Sequence, residues 1–139
     1  MIFYFEIPGT PKGKGRPRFT RNGRTYTPEQ TASYENLVKV MFMQVYPGFQ
    51  PIPQGIPLEA HITAFFPIPK STSKSRAADM ERGFELPTKK PDTDNIAKII
   101  LDSLNGIAYH DDAQIVRLTV VKSYSREPRV SVEIGEVDR

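Results

Sequence analysis

Three observations in the chain predict an α+β fold: one small domain, with a mixed sheet of about four strands and two main helices packed on it. Segments of strand and helix periodicity follow one another in the order β-α-β-α-β-β. The 139 residues suit one hydrophobic core. Repeats and low-complexity tracts are absent, so a single domain over 1–139 is expected, with 9–26 and 67–91 as basic, mobile loops.

IFYFEI, residues 2–7, is rich in aromatic and β-branched residues and stops at Pro8-Gly9, which predicts a strand. GTPKGKGRPRFTRNGR follows; its glycines and prolines predict a loop. It matches a nucleotide-binding P-loop poorly, because Lys14 is followed by Gly15 rather than Ser or Thr. Thr27-Pro28-Glu29-Gln30 has the features of a helix start: a capping hydroxyl, a proline suited to the first turn, and a glutamine to complete a capping box. Tyr34, Leu37, Val38, Met41 and Val45 then recur at helical spacing until Pro47-Gly48 ends the run. LEAHITAFF, 58–66, predicts a largely buried strand, and the polar stretch 67–91 predicts a long functional loop.

A second helix is expected from Asp94 to Asn105, with Gly106 as its stop. Ile96, Ile99, Ile100 and Leu104 would share its apolar face; Asp94, Asn95, Lys98 and Asp102 would share the other. Residues 114–124 and 130–134 read as strands, joined as a hairpin around Arg126-Glu127-Pro128, with Val116, Leu118 and Val120 on the core side.

Composition narrows the function. With 38% apolar and 25% charged residues the chain reads as an ordinary globular protein, and the lack of cysteine excludes disulfides and thiolate metal sites. No apolar run approaches a membrane span, and MIFYFEIPG lacks the basic segment of a signal peptide, so an intracellular, cytoplasmic location is expected. The net charge of +3 conceals a cluster: Lys12, Lys14, Arg16, Arg18, Arg21 and Arg24 lie together with no acid among them. A second basic group includes Lys70, Lys74, Arg76, Lys89 and Lys90. Both favour a polyanionic partner. Glycines let a backbone approach phosphates and arginines bind them bidentately, so Arg16 and Arg18 are the foremost candidate contacts; Phe19 and Tyr26 are expected to pack against the first helix, with stacking on an unpaired base as the alternative.

KKPDTDNIAK, 89–98, carries the chemistry. Asp92 or Asp94 alone would serve as a helix N-cap, and Lys98 could simply pair with Asp94. One cap needs one aspartate, however, and YHDDAQ supplies Asp111 and Asp112 as well. Carboxylates gathered that closely call for a cation, and oxygen ligands with histidine only at His61 and His110 select Mg²⁺, or Mn²⁺ in its place, over zinc. Strand parity places Asp112 with Val116, Leu118 and Val120, leaving Asp111 to face solvent or cap the turn. A helix over 94–105 carries the chain roughly 17 Å away, and residues 106–111 can return at most about 20 Å. Closure within one chain is tight, and supply of Asp112 by a second subunit stays open. Lys98, one turn into the helix, could stabilise charge developing on a phosphate. Together these residues describe metal-dependent phosphodiester hydrolysis.

The stretch KPDTDNIAKIILDSLNGIAYHDDAQIVRLTVVKSY, with GTPKGKGRPR, TPEQTASYE and PIPKSTSK upstream, resembles the RusA-type Holliday junction resolvases over nearly the whole chain. That resemblance implies a Mg²⁺-dependent endonuclease acting in DNA recombination and repair, found in bacteria and prophages. Its catalytic set of three aspartates and a lysine falls on Asp92, Asp94, Asp112 and Lys98. It further implies a homodimer that nicks opposed strands of a four-way junction. The basic loops, read from their residues, supply the candidate DNA-binding set: Lys12, Lys14, Arg16, Arg18, Lys74, Lys89 and Lys90. From the residues alone, a non-catalytic DNA-binding module and a nuclease for flaps or other branched nucleic acid remain alternatives.

Overall fold

The computed structural model describes residues 2–15, 18, 19, 23, 25, 26 and 29–137. Alternation of large apolar and polar residues builds β1 (Ile2–Pro8), β4 (Leu58–Pro67) and β6 (Arg129–Glu136) as strands with one dry face. Phe3, Phe5 and Ile7 stand opposite Ile134, Val132 and Val130, which stand in turn opposite Ala60, Ile62 and Ala64. With β5 (Ile115–Ser125) they form a four-stranded mixed sheet in the order β1-β6-β4-β5, where only the β4–β5 pair is parallel. Two helices cover the dry face: α1 (Glu29–Val45) and α3 (Thr93–Ser103). The domain is thus α+β, as the sequence predicts.

Several expectations change. The hairpin over 126–128 does not form, because β4 lies between β5 and β6 and pairs with both. Two strand spacings are only about 9.6 Å, which Arg126–Pro128 bridges across the end of β4. On α1 the buried positions are Thr31, Tyr34, Val38 and Phe42, while Val45 is exposed. Phe42 takes the inner place by packing edge-on against Phe3, Phe5 and Phe49. The 67–91 segment is not all loop: it holds α2 (Lys74–Glu81), whose Ser73 cap accepts from the Arg76 amide and whose Ala77 and Met80 are buried. Within 9–26 a short ribbon pairs β2 (Arg18–Phe19) with β3 (Thr25–Tyr26). The Thr27-Pro28 cap lies outside the described residues.

β5 is an edge strand. Val116 is 59% and Leu118 46% exposed, so neither is a core residue. The register with β4 shifts between Leu58 and Glu59: Ile115 is opposite Leu58 but Arg117 is opposite Glu59. Beyond the extra residue at 116 the expected side holds, with Val120 opposite Ile62 and packed against the core, but the bulge breaks the parity that linked Asp112 to Val120. Among the described residues, no helix is long and apolar enough to cross a membrane.

Candidate active site

α3 begins one residue earlier than expected, with Asp92 in the N-cap position, and ends at Ser103 rather than Asn105. Gly106 follows with a φ of 75°, the left-handed conformation for which glycine is suited. Ile96, Ile99 and Ile100 are fully buried, so their packing against the sheet orients the helix and presents Asp94, Lys98 and Asp102 along the opposite face.

Asp92 has the backbone of a cap (φ −71°, ψ 157°), yet its side chain accepts no capping hydrogen bond. The simplest structural role for this aspartate is therefore unfilled, and its exposed carboxylate, next to exposed Asp94, has no hydrogen-bond or ion-pair partner among the described residues.

Farther along the helix lies a mesh of charges. Lys98 Nζ is 3.5 Å from Asp102 Oδ2, and Lys14 Nζ is also 3.5 Å from that oxygen. Lys14 in turn donates to Glu35 Oε2 on α1 at 2.6 Å. Burial alone would lower the Lys14 pKa, but the hydrogen bond and charge of Glu35, with those of Asp102, raise it. Lys14, expected as a phosphate contact, thus spends its charge inside the protein. The described part of its loop is pinned to both helices: the Lys14 amide donates to Asn95 O at 3.1 Å and the Gly15 amide to Thr31 Oγ1 at 3.0 Å. Gly13 makes this docking possible, because a Cβ there would meet Pro91 Cβ at 2.8 Å and Asn95 Cβ at 3.1 Å.

Asp112 opens a single 3₁₀ turn, Asp112–Gln114, ahead of β5. Asp111 caps this turn: its carboxylate accepts from the Ala113 amide, and the Asp111 amide donates to Gln114 Oε1. The Asp112 amide donates to Asn105 Oδ1 at 2.8 Å. Its carboxyl group reaches Asp102, and its pKa is raised by burial first, then by the hydrogen bond and charge of Asp102; the charge of Lys98 opposes the shift. Asp112 does turn toward α3, but the 3₁₀ turn and its cap aim it rather than the strand parity used to predict it. Among the described residues of one chain, no three His, Asp or Glu side chains gather closely enough to hold one metal ion.

The mouth of the site is a groove of about 880 Å³ between the 10–14 loop and residues 89–91, with Asp92 and Asn95 in its wall. Lys12, Lys89 and Lys90 line it. Lys74 is exposed at the start of α2. Arg16 lies outside the described residues, as do the side chains of Arg18, Phe19 and Tyr26. His110 is exposed near the Asp112 turn, and His61 is exposed on β4. Two participants escaped the sequence reading as site residues. Asp102 was legible on the polar face, one turn beyond Lys98; Glu35 carries no local signal, since only the fold brings α1 to Lys14.

Comparison with known proteins finds relatives along nearly the whole chain. The endodeoxyribonuclease RusA family profile matches residues 8–135. An uncharacterized Bacillus subtilis (strain 168) protein, YqaN, is 39% identical, the alignment covering 96% of this chain and 95% of that one. A crossover junction endodeoxyribonuclease, rusA of Lactococcus phage r1t, is 28% identical, covering 99% of this chain and 100% of the phage protein. With a full-length match that takes in the aspartate pair, the groove and the Asp112 turn, this chain belongs to the RusA endodeoxyribonuclease family.

Proposed function

We propose that this protein is a Mg²⁺-dependent endonuclease, with Mn²⁺ able to replace Mg²⁺, that resolves four-way DNA junctions as a homodimer in recombination and repair. The observation that carries this reading is the free carboxylate of Asp92 at an N-cap, beside Asp94, at the mouth of a lysine-lined groove. The name of the phage relative, a crossover junction endodeoxyribonuclease, supports junctions as the substrate.

The donor set fits a hard divalent cation. Mg²⁺ is commonly held by one or two carboxylates together with water and substrate phosphate, and Asp92 with Asp94 supplies such a pair without nitrogen or sulfur ligands. When bound there, the ion would supply Lewis-acid charge and lower the pKa of a coordinated water. The chain itself does the rest. Groove lysines orient the phosphodiester. The α3 N-terminus, whose amides the Asp92 side chain leaves uncapped, offers hydrogen-bond donors to a phosphate oxygen. Lys98, held by Asp102, presents its ammonium to charge developing on the phosphorus oxygens.

Asp112 is the third acid of the set, and we infer that it acts on the partner's site. Asp94 and Asp102 are separated along α3 by about 12 Å, and the Asp112 carboxyl group lies at the Asp102 end. Carboxylates sharing one Mg²⁺ each sit about 2.1 Å from it, which this spacing does not allow within one chain. A second copy has a surface to use: the β5 edge that follows Asp112 exposes Val116, Leu118 and Val121.

The test is cleavage of a four-way junction against flap, duplex and single-stranded controls, with Mg²⁺ and with EDTA, and with Asp94→Asn alongside. Paired, metal-dependent nicks in the junction are expected, with binding but no cutting by the variant. Chelator-resistant binding without any nicking would instead identify a DNA-binding module, and preferential cutting of flaps would replace the junction assignment.

A further inference from the structure

The groove beside Asp92 has properties that phosphate contact alone does not require. It is an open groove whose volume of about 880 Å³ is large enough for one nucleotide. Pro11, Phe66, Pro67 and Pro91 form apolar parts of its lining. Lys12, Lys89 and Lys90 have no carboxylate at ion-pair distance among the described residues, unlike Lys14, Lys98 and Arg76. Lys122, reaching in from β5, donates to the Lys89 carbonyl, and the Lys122 and Lys89 ammonium groups lie 5.2 and 5.9 Å from the centroid of the Phe66 ring. Two ammonium groups gathered at one ring, with no carboxylate at ion-pair distance among the described residues, favour an anion beside them. Asn95 in the wall carries both a donor and an acceptor group, as reading a base edge requires.

Resting on the nuclease reading above, we propose that this groove seats one nucleotide of the cleaved strand, unstacked from its neighbours beside the scissile phosphate. Lys12, Lys89 and Lys90 hold its phosphate, the apolar lining takes its sugar and base, and Lys122 is a positioning residue that fixes the 89–91 segment. Taking one base out of the stack costs a few kcal/mol in a duplex and less where pairing is already broken. The groove would thus favour a branch point over continuous duplex, and it gives base preference at the cut a physical seat beside Asn95.

The test uses full-length protein carrying Asp94→Asn and junctions with 2-aminopurine at successive positions around the crossover. On saturation with protein, fluorescence should rise about twofold or more at one position next to the mapped cut, as expected of a base leaving the stack. Adding Lys12→Met and Lys90→Met, both at exposed sites, should return that position to the level of free junction at saturating protein. Lys89→Met alone should weaken the signal in the same place. No enhanced position, or a signal that survives the paired lysine changes at saturation, would overturn the proposal and assign any unstacking to junction distortion. Metal-dependent cutting of the same junctions by the wild-type protein reports separately on the nuclease reading, which stands even if no base leaves the stack.

Discussion

Gly13→Ala tests how the basic loop is attached to α3. The new Cβ would meet Pro91 Cβ at 2.8 Å and Asn95 Cβ at 3.1 Å. Neither atom is the free end of a flexible side chain: one belongs to a ring, the other is fixed to the first turns of α3. Carbon atoms pack at about 3.5–4.0 Å, so the loop must retreat by about 1 Å. That retreat would stretch the 3.1 Å bond from the Lys14 amide to Asn95 O beyond hydrogen-bonding range. Overpacking costs about 1–3 kcal/mol, and restricting the unfolded chain returns about 0.4–1 kcal/mol. The net expectation is a loss of about 1–2 kcal/mol, or roughly 3–7 °C in Tm for a chain of this length. The loop has a second option, to come away from α3 locally. The Lys14–Glu35 bond at 2.6 Å and the Gly15–Thr31 bond at 3.0 Å oppose this, so global destabilisation should dominate. Thermal unfolding by circular dichroism measures the loss, and hydrogen exchange at the Lys14 amide distinguishes local opening. A variant with wild-type Tm, wild-type Lys14 exchange and undiminished junction cleavage would refute the docking argument.

Other expectations follow from neighbouring contacts. Glu35→Gln removes the stronger partner of half-buried Lys14 and should cost about 1–2 kcal/mol at neutral pH. Because the folded-state pKa of Lys14 is raised, that contribution is complete below the unfolded value near 10.4 and fades as pH rises through the folded one. Wild-type and Glu35→Gln melting curves should therefore converge only above about pH 10.4. Tyr109→Phe removes the hydroxyl that donates to Leu101 O at 2.6 Å in the core, leaving that carbonyl only the 3.3 Å bond from the Leu104 amide, and should lower stability by about 1 kcal/mol in urea unfolding. Leu118→Glu, on the exposed β5 edge, should leave the fold intact and shift the protein toward monomer in sedimentation velocity, with loss of cleavage; an unshifted dimer would free this edge from the interface.

The fold class was legible because periodicity and composition mark each element: the isoleucines of α3 lie on its buried face as expected, and strands form over 2–7, 58–66 and 130–134, although β4 buries one face rather than most of its residues. Strand order was not, because β4 gains two partners by entering between β5 and β6, a competition that no local pattern records. Nor was α2, whose buried Ala77 and Met80 form too short a stripe among charged residues to stand out. At the site, Asp92, Asp94 and Lys98 were readable from spacing on one helix. The direction of Asp112 came out right through an argument that the extra residue at 116 undoes. Glu35 was beyond reach, since its importance to Lys14 exists only once α1 and α3 pack side by side.

The central claim, that acids from the start of α3 and from the Asp112 turn meet around one ion across two subunits, is tested most directly by mixing variants. Asp94→Asn and Asp112→Asn homodimers should each fail to cut a four-way junction. After co-refolding, a mixed dimer would carry one site with both changes and one with neither, so single-strand nicking should return. Mixed dimers as inactive as either parent would contradict the shared site.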